Sequence, residues 1–282
     1  MKIIECPRDA MQGLSVFIPT ERKVAYLSQL LKIGFDTVDF GSFVSPKAIP
    51  QLRDTAEVLS KLDLANTKSK LLAIVANTRG AREAAEYQSI SYLGFPLSIS
   101  ETFQRRNTNK SIADALLTVQ EIQEICIWKN KELVTYISMG FGNPYGDPYD
   151  TGIVEQFSEL LNAMNVRIIS LADTIGVSKP DQIQKLFGGL TIKYPKIEFG
   201  VHLHSNPATA IEKIAAAYAS GCQRFDGAIK GFGGCPMAED ELVGNLATET
   251  VLSYLDSKND APPIDRLAFN DAILLADTIF PH

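Results

Sequence analysis

Histidine is the scarcest useful residue in this 282-residue chain: there are three, and one of them is the final residue, His282. The four cysteines, Cys6, Cys126, Cys222 and Cys235, stand far apart with no CxxC pair. In a cytoplasmic chain that pattern reads as reduced thiols, not as a disulfide framework. No run of roughly 18 apolar residues occurs, so no spanning helix is expected and a membrane is not an expected partner. There is no basic excess either. A net charge of −6 and an isoelectric point near 5.2 argue against nucleic acid. The opening MKIIECPRD lacks the apolar stretch and small-residue cleavage site of a secretory signal, so the expected location is cytoplasmic. No GxGxxG follows the first apolar run, which weakens a dinucleotide fold and leaves no redox cofactor expected.

What remains is ordinary globular composition, 45% hydrophobic and 21% charged, with one unusual placement. Both internal histidines fall in a single tripeptide, His202-Leu203-His204, inside IEFGVHLHSNP. The run reads as a buried strand, and side chains two apart on a strand share a face. Two imidazoles therefore converge at a strand end just before the turn Ser205-Asn206-Pro207, as a divalent metal site requires. Two buried imidazoles with no metal or acid would be costly to satisfy.

Short β-branched runs recur at 3–6, 37–40, 71–75, 90–95, 134–138, 167–171, 197–204 and 223–226. Amphipathic helical patterns lie between them, such as Ile112–Trp128 and residues 153–164, the latter with Phe157, Leu160, Leu161 and Met164 on one face. Pro19-Thr20-Glu21, Asn109-Lys110-Ser111 and Ser178-Lys179-Pro180-Asp181 mark helix starts. Eight strands each followed by a helix predict an α/β fold: one (β/α)8 TIM barrel spanning 1–282 as a single catalytic domain, with an extra C-terminal helix at 267–279. An open doubly wound sheet is the alternative. A barrel concentrates its chemistry where strands pass into βα loops. Polar residues do collect at those points: Arg8-Asp9, Asp39, Ser42, Asn77, Asp173-Thr174, the histidine pair and Asn245.

The pieces CPRDAMQG, GSFVSPK, LADTIGV, VHLH, GFGGCP and GNLATE occur in this order over nearly the full length. Together they resemble the 3-hydroxy-3-methylglutaryl-CoA lyase family of metal-dependent TIM barrels. The Arg-Asp opening and the His-x-His are shared with Claisen-condensing relatives that make isopropylmalate or homocitrate. The GGCP and GNLATE pair is more specific to the lyases.

The resemblance implies that Asp9 and Asn245 join His202 and His204 as metal ligands. This mixed N/O set suits Mg²⁺ or Mn²⁺. It implies an acyl-CoA substrate with a tertiary alcohol, cleaved between C2 and C3 to acetoacetate and the enolate of acetyl-CoA, as in leucine degradation. Arg8 is expected to stabilise the enolate, and Cys235, in a glycine-rich loop, to protonate it. Asp173 or Asp39 is the expected base for the substrate hydroxyl. Gln12, Ser42 and Asn77 are expected to contact substrate, and Glu249 to orient a metal ligand or Arg8. The CoA phosphates would need cationic partners, for which Lys47 or Lys230 are candidates by position alone. A homo-oligomer, a dimer first, is the expected assembly.

The chain departs from the family pattern at Asp39, where the lyases carry glutamate, and at Ser205, where they carry aspartate. It departs again at Gly13-Leu14-Ser15, which replaces Asn-Glu-Lys. The competing readings are a Claisen-type enzyme acting on a 2-oxo acid and a metal-binding barrel without catalysis.

Overall fold

The structure, a computed structural model, describes residues 1–234 and 243–280. Its eight strands are β1 (Lys2–Glu5), β2 (Thr37–Ser42), β3 (Lys70–Ile74), β4 (Ile90–Ser98), β5 (Glu132–Ser138), β6 (Ile168–Asp173), β7 (Glu198–Leu203) and β8 (Arg224–Gly227). They pair in chain order, all parallel, and β8 closes on β1 to complete a barrel. The closed ring excludes the open doubly wound sheet. Strands of this kind are covered on both sides, and β2 and β6 are buried along their whole length. β4 runs past its expected end to Ser98, carrying Pro96 within the strand.

Helices α1 (Pro7–Gln12) and α2 (Thr20–Ile33) follow β1, α3 (Thr55–Lys61) follows β2, and α4 (Thr78–Ala85) follows β3. After β4 come α5 (Glu101–Thr108) and α6 (Ile112–Trp128); then α7 (Thr151–Ala163), α8 (Pro180–Lys193) and α9 (Pro207–Ala219) follow β5, β6 and β7 in turn. α10 (Thr248–Ser257) and α11 (Arg266–Ile279) come after β8. Their starts are written in short polar side chains. Asn77, Ser100, Ser111, Asp150 and Asp265 each accept a backbone N–H of the helix they open, satisfying donors that have no partner within the helix.

The expected extra helix is α11. It lies across α2, with Tyr26 edge-on to Phe280 at 5.6 Å, and the Gln29 amide donates to Ala268 O at 2.8 Å. On α7 the expected apolar face needs one correction. Val154 and Leu161 are buried, whereas Leu160 is 43% exposed. Adjacent helical residues point about 100° apart, so Leu160 and Leu161 cannot both centre the stripe.

The main core lies between the strands and the helices. A smaller cluster of Leu72, Ile74, Tyr92, Val134, Tyr136 and Ile168 fills the barrel interior. Arg224, wholly buried, runs past Gly200, where any Cβ would come within 2.8 Å of the arginine Cδ. At the other end α4 packs its first turn onto the loop after β2. A Cβ at Gly80 would sit 2.3 Å from the Phe43 carbonyl oxygen, a backbone atom that cannot swing aside. Gly80→Ala is therefore expected to cost about 1–3 kcal/mol, read as a lower urea midpoint at unchanged m-value. A midpoint equal to wild type would show that this loop yields.

Candidate active site

β1 ends at Glu5, and Pro7 opens α1 with its ring at the first helical position. That turn carries Arg8 and Asp9 inward, so both sit in the first turn of a short helix, not on the strand itself. Arg8 is buried and donates four of its five N–H groups within the cluster. Its Nε and Nη2 donate to Asp39 Oδ2 at 2.9 and 2.6 Å, and its Nη1 donates to Asp9 Oδ1 and Gln12 Oε1, each at 2.8 Å. Gln12 Nε2 in turn donates to Asp9 Oδ1 at 2.7 Å. Burial opposes the charge on Arg8, but Asp39 and Asp9 outweigh it and raise its pKa. Burial likewise opposes ionisation of Asp9, and Arg8 leads the groups that hold it below the usual carboxylate range.

The two β7 imidazoles converge with Asp9. One ligand atom from each of Asp9, His202 and His204 lies within 4.8 Å of the others, a grouping able to hold a metal ion. His204 Nδ1 stands 3.0 Å from the Thr174 carbonyl oxygen, which can only accept, so Nδ1 carries the proton. Nε2 then keeps its lone pair; it is buried, lacks a hydrogen-bond partner and lies 3.9 Å from Asp9 Oδ2. An orphaned, buried nitrogen beside a carboxylate fits a bound cation. Burial, reinforced by His202, lowers the His204 pKa to about 4, which keeps that nitrogen free of protons. Asn245 also reaches the cluster, but through nitrogen: Nδ2 donates to Asp9 Oδ2 at 2.8 Å and to Phe232 O at 2.9 Å. Ligation by Asn245 requires its amide to turn so that Oδ1 faces Asp9.

These groups form the floor of a cavity of about 420 Å³. Arg8, Asp9, Gln12, Asn77, His202 and His204 line it on one side, and Val44, Ile49, Ile74, Phe103 and Tyr136 give it an apolar wall. Arg106, on α5, and Lys110, between α5 and α6, also line it and were not expected as site residues from the sequence. Nothing in their local pattern marks them, because only the fold brings this segment to the cavity.

Several expected roles meet different surroundings. The Asp173 carboxylate accepts from the backbone N–H groups of Val177 and Ser178, both at 2.9 Å, and from Lys213 Nζ at 3.1 Å. It shapes the loop after β6 and is not among the cavity-lining residues. Asp39 lies within β2 and behind Arg8, also off the cavity wall. Burial pushes its carboxyl up to about 6 against the pull of Arg8.

The Ser42 hydroxyl donates to Ile74 O at 3.2 Å and accepts from Val44 N, so it closes a turn and does not face the cavity. Asn77 lines the cavity while its Oδ1 caps α4 through Gly80 N at 2.9 Å. Glu249 accepts the Lys230 N–H at 3.0 Å and reaches neither Arg8 nor a candidate ligand. The bond holds a left-handed turn at Lys230, φ 61°, and Lys230 Nζ pairs with Asp277. Ser205 turns its hydroxyl to Asn206 O and Thr209 at the start of α9, away from the cluster. Cys235 lies outside the described residues. Asp226, unremarked in the sequence, sits beside His202 because β7 and β8 pair His202 with Asp226.

A parallel barrel with two imidazoles, a carboxylate and an arginine gathered at its strand ends defines the HMGL-like class, and the chain belongs to that family, whose sequence profile matches residues 2–273. The relatives it is similar to are named as lyases. The hydroxymethylglutaryl-CoA lyase YngG of Bacillus subtilis is 34% identical over 89% of this chain and 83% of its own length. The 3-hydroxy-3-isohexenylglutaryl-CoA/hydroxy-methylglutaryl-CoA lyase of Pseudomonas aeruginosa is 31% identical over 94% and 88%. Among solved structures, an HMG-CoA lyase from Acinetobacter baumannii, in complex with coenzyme A and 3-methylmalate, superposes with a TM-score of 0.91 at 28% identity, over 99% of this chain and 90% of that one. The carboxyl transferase domain of Rhizobium etli pyruvate carboxylase, at 16% identity and a TM-score of 0.72, shares the fold alone.

Proposed function

We propose that this barrel is a single catalytic domain that cleaves 3-hydroxy-3-methylglutaryl-CoA to acetyl-CoA and acetoacetate. The observation that carries the reading is the orphaned, buried His204 Nε2 beside Asp9 at the foot of a cavity also lined by Arg8. Relatives named as lyases of this substrate favour cleavage over Claisen condensation and over a barrel without catalysis.

Asp9, His202 and His204 would hold a divalent cation, Mg²⁺ or Mn²⁺ by the chemistry of two imidazoles and a carboxylate, with the Asn245 amide oxygen as a fourth ligand. When bound, that ion supplies Lewis-acid polarisation and orientation of the substrate's oxygens. Arg8, held at the cavity wall by Asp39, Asp9 and Gln12, would supply the fixed cation for the thioester oxygen as negative charge develops there, its second Nη2–H being the one not already donated. Asp39 holds Arg8 from behind, and of the two carboxylates proposed as the base that takes the substrate's hydroxyl proton it is the one joined to the cavity-lining Arg8. Asp173 keeps the β6 loop in shape: its carbonyl accepts the His204 N–H at 3.2 Å, which ties that loop to the histidine strand.

Cys235 is proposed to protonate the enolate. The chain enters its segment over the cluster, since a Cβ at Gly233 would lie 2.9 Å from Asp9 O and 2.7 Å from Asn245 Nδ2. Among the described residues no helix is long and apolar enough to cross a membrane. A cytoplasmic setting agrees with the free, buried thiols of Cys6, Cys126 and Cys222.

The test is release of acetyl-CoA from 3-hydroxy-3-methylglutaryl-CoA with Mg²⁺ and without it. Turnover that needs the metal is expected, and no turnover with metal present would sink the proposal. In the same assay His204→Ala is expected to abolish both Mg²⁺ binding and turnover while the far-ultraviolet circular dichroism stays that of the barrel. Unchanged metal affinity would remove His204 from the site.

A further inference from the structure

Beneath the cluster, His202 meets a second carboxylate that the proposed chemistry leaves unused. Asp226, 1% exposed on β8, lies with its Oδ2 3.3 Å from His202 Nδ1. Two residues earlier on the same strand, Arg224 is wholly buried, with its Nε 4.0 Å from the other Asp226 oxygen. Cys6 approaches from β1, so that Cys6, His202 and Asp226 also offer three ligand atoms within 4.8 Å.

That trio has two readings: a second cation site, or a support for the His202 ring. One imidazole bridging two cations must lose both ring protons. The Cys6 thiol, pushed well above its ordinary pKa by burial, donates to the Ile4 carbonyl at 3.6 Å and so is held as a thiol. Asp226 already has the Arg224 guanidinium as its countercharge. The His204 ring supplies the matching case: its Nδ1 is taken by the Thr174 carbonyl and its Nε2 is left without a partner. Ligating histidines commonly donate their second ring N–H to a carboxylate or a carbonyl, which sets tautomer and ring angle. β7 and β8 supply one acceptor of that kind for His202, as the β6 loop does for His204.

We propose that Asp226, backed by Arg224, is a positioning residue for the metal site: it accepts the Nδ1–H of His202 and so leaves Nε2 with the lone pair that binds the cation. This rests on the metal-site reading above.

The experiment uses the full chain loaded with Mg²⁺, with ¹⁵N-labelled histidine and titration calorimetry. Only three histidines need resolving. One Mg²⁺ per chain is expected, with His202 and His204 both protonated at Nδ1. Asp226→Asn should weaken Mg²⁺ binding about 10–100-fold, Asp226→Glu should restore most of it, and Cys6→Ser should leave one Mg²⁺ bound at wild-type affinity. The inference is overturned if His202 of the wild-type protein carries its proton on Nε2, if folded Asp226→Asn binds within twofold of wild type, or if a second bound Mg²⁺ disappears in Cys6→Ser. The histidine spectrum needs no variant, so it decides the matter even if Asp226→Asn does not fold. Wild-type protein that binds no Mg²⁺ at either histidine would instead overturn the metal site itself.

Discussion

Arg8→Gln is expected to lower kcat about 10²–10³-fold, the usual loss when one fixed donor to a developing oxyanion is removed, with a smaller change in KM. The same substitution should destabilise the fold by about 3–5 kcal/mol, because it removes the partner of two buried carboxylates. Asp39 depends on Arg8 for both hydrogen bonds to its Oδ2, and its Oδ1 has no partner among the described residues. The stability defect has a definite pH dependence.

With Arg8 in place, burial already holds the Asp39 pKa at about 6, above its ordinary 3.8. Without the guanidinium it rises further. A carboxyl whose folded pKa is raised stabilises the fold below its unfolded value and loses that contribution as pH climbs through the folded one. The variant should therefore come nearest to wild type in acid and fall away from it as pH rises, first through Asp9, which Arg8 holds below its ordinary value, and then through Asp39 above pH 6. Urea melts at several pH values, set beside steady-state kinetics, measure both effects. A kcat within fivefold of wild type would remove Arg8 from the chemistry, and parallel stability curves would remove Asp39 from the account.

Glu5→Gln should act in the opposite direction, stabilising the protein at neutral and alkaline pH. Glu5 is wholly buried on the outer face of β1, and burial pushes its pKa from 4.5 to about 8 against the pull of its hydrogen bonds from Thr248 and Ile229. Between those two values the folded chain keeps a proton that the unfolded chain releases. Stability in that window declines by about 1.4 kcal/mol per pH unit. Glutamine is neutral throughout. Its oxygen can accept from Ile229 N and its NH₂ can donate to the Thr248 hydroxyl, replacing the contacts now at 2.8 and 2.6 Å. The two proteins should match near pH 4.5 and diverge by on the order of 3–5 kcal/mol by pH 8. Melting temperatures across that range test it, and a constant offset would mean that Glu5 is not the titrating group. The same carboxyl ties β1 to the turn after β8, from which the chain leads to Cys235.

Most of the barrel was legible in the chain because its cues are local. β-branched runs and the helix-start signals at Pro19-Thr20-Glu21, Asn109-Lys110-Ser111 and Ser178-Lys179-Pro180-Asp181 each act over a few residues. The convergence of His202 and His204 was legible for the same reason, since strand period alone puts them on one face. Leu160 shows the limit, because apolar character along a helix does not say which flank of the stripe meets the barrel.

The carboxylates show it more sharply. Asp9, Asp39, Asp173 and Asp226 are all aspartates on strands or the turns after them, and the linear pattern treats them alike. Asp9 reaches the cavity because Pro7 starts a helix that turns it inward. Asp173 is held by its own loop and by Lys213, forty residues further along the chain. Asp226 stands beside His202 through the register of the paired strands β7 and β8. The amino-acid order by itself determined the alternation of elements, the pairing of imidazoles and the kind of chemistry those groups can do. Which carboxylates line the cavity and which are held behind it was decided only by barrel closure, since that choice depends on hydrogen bonds and strand register formed across long stretches of chain.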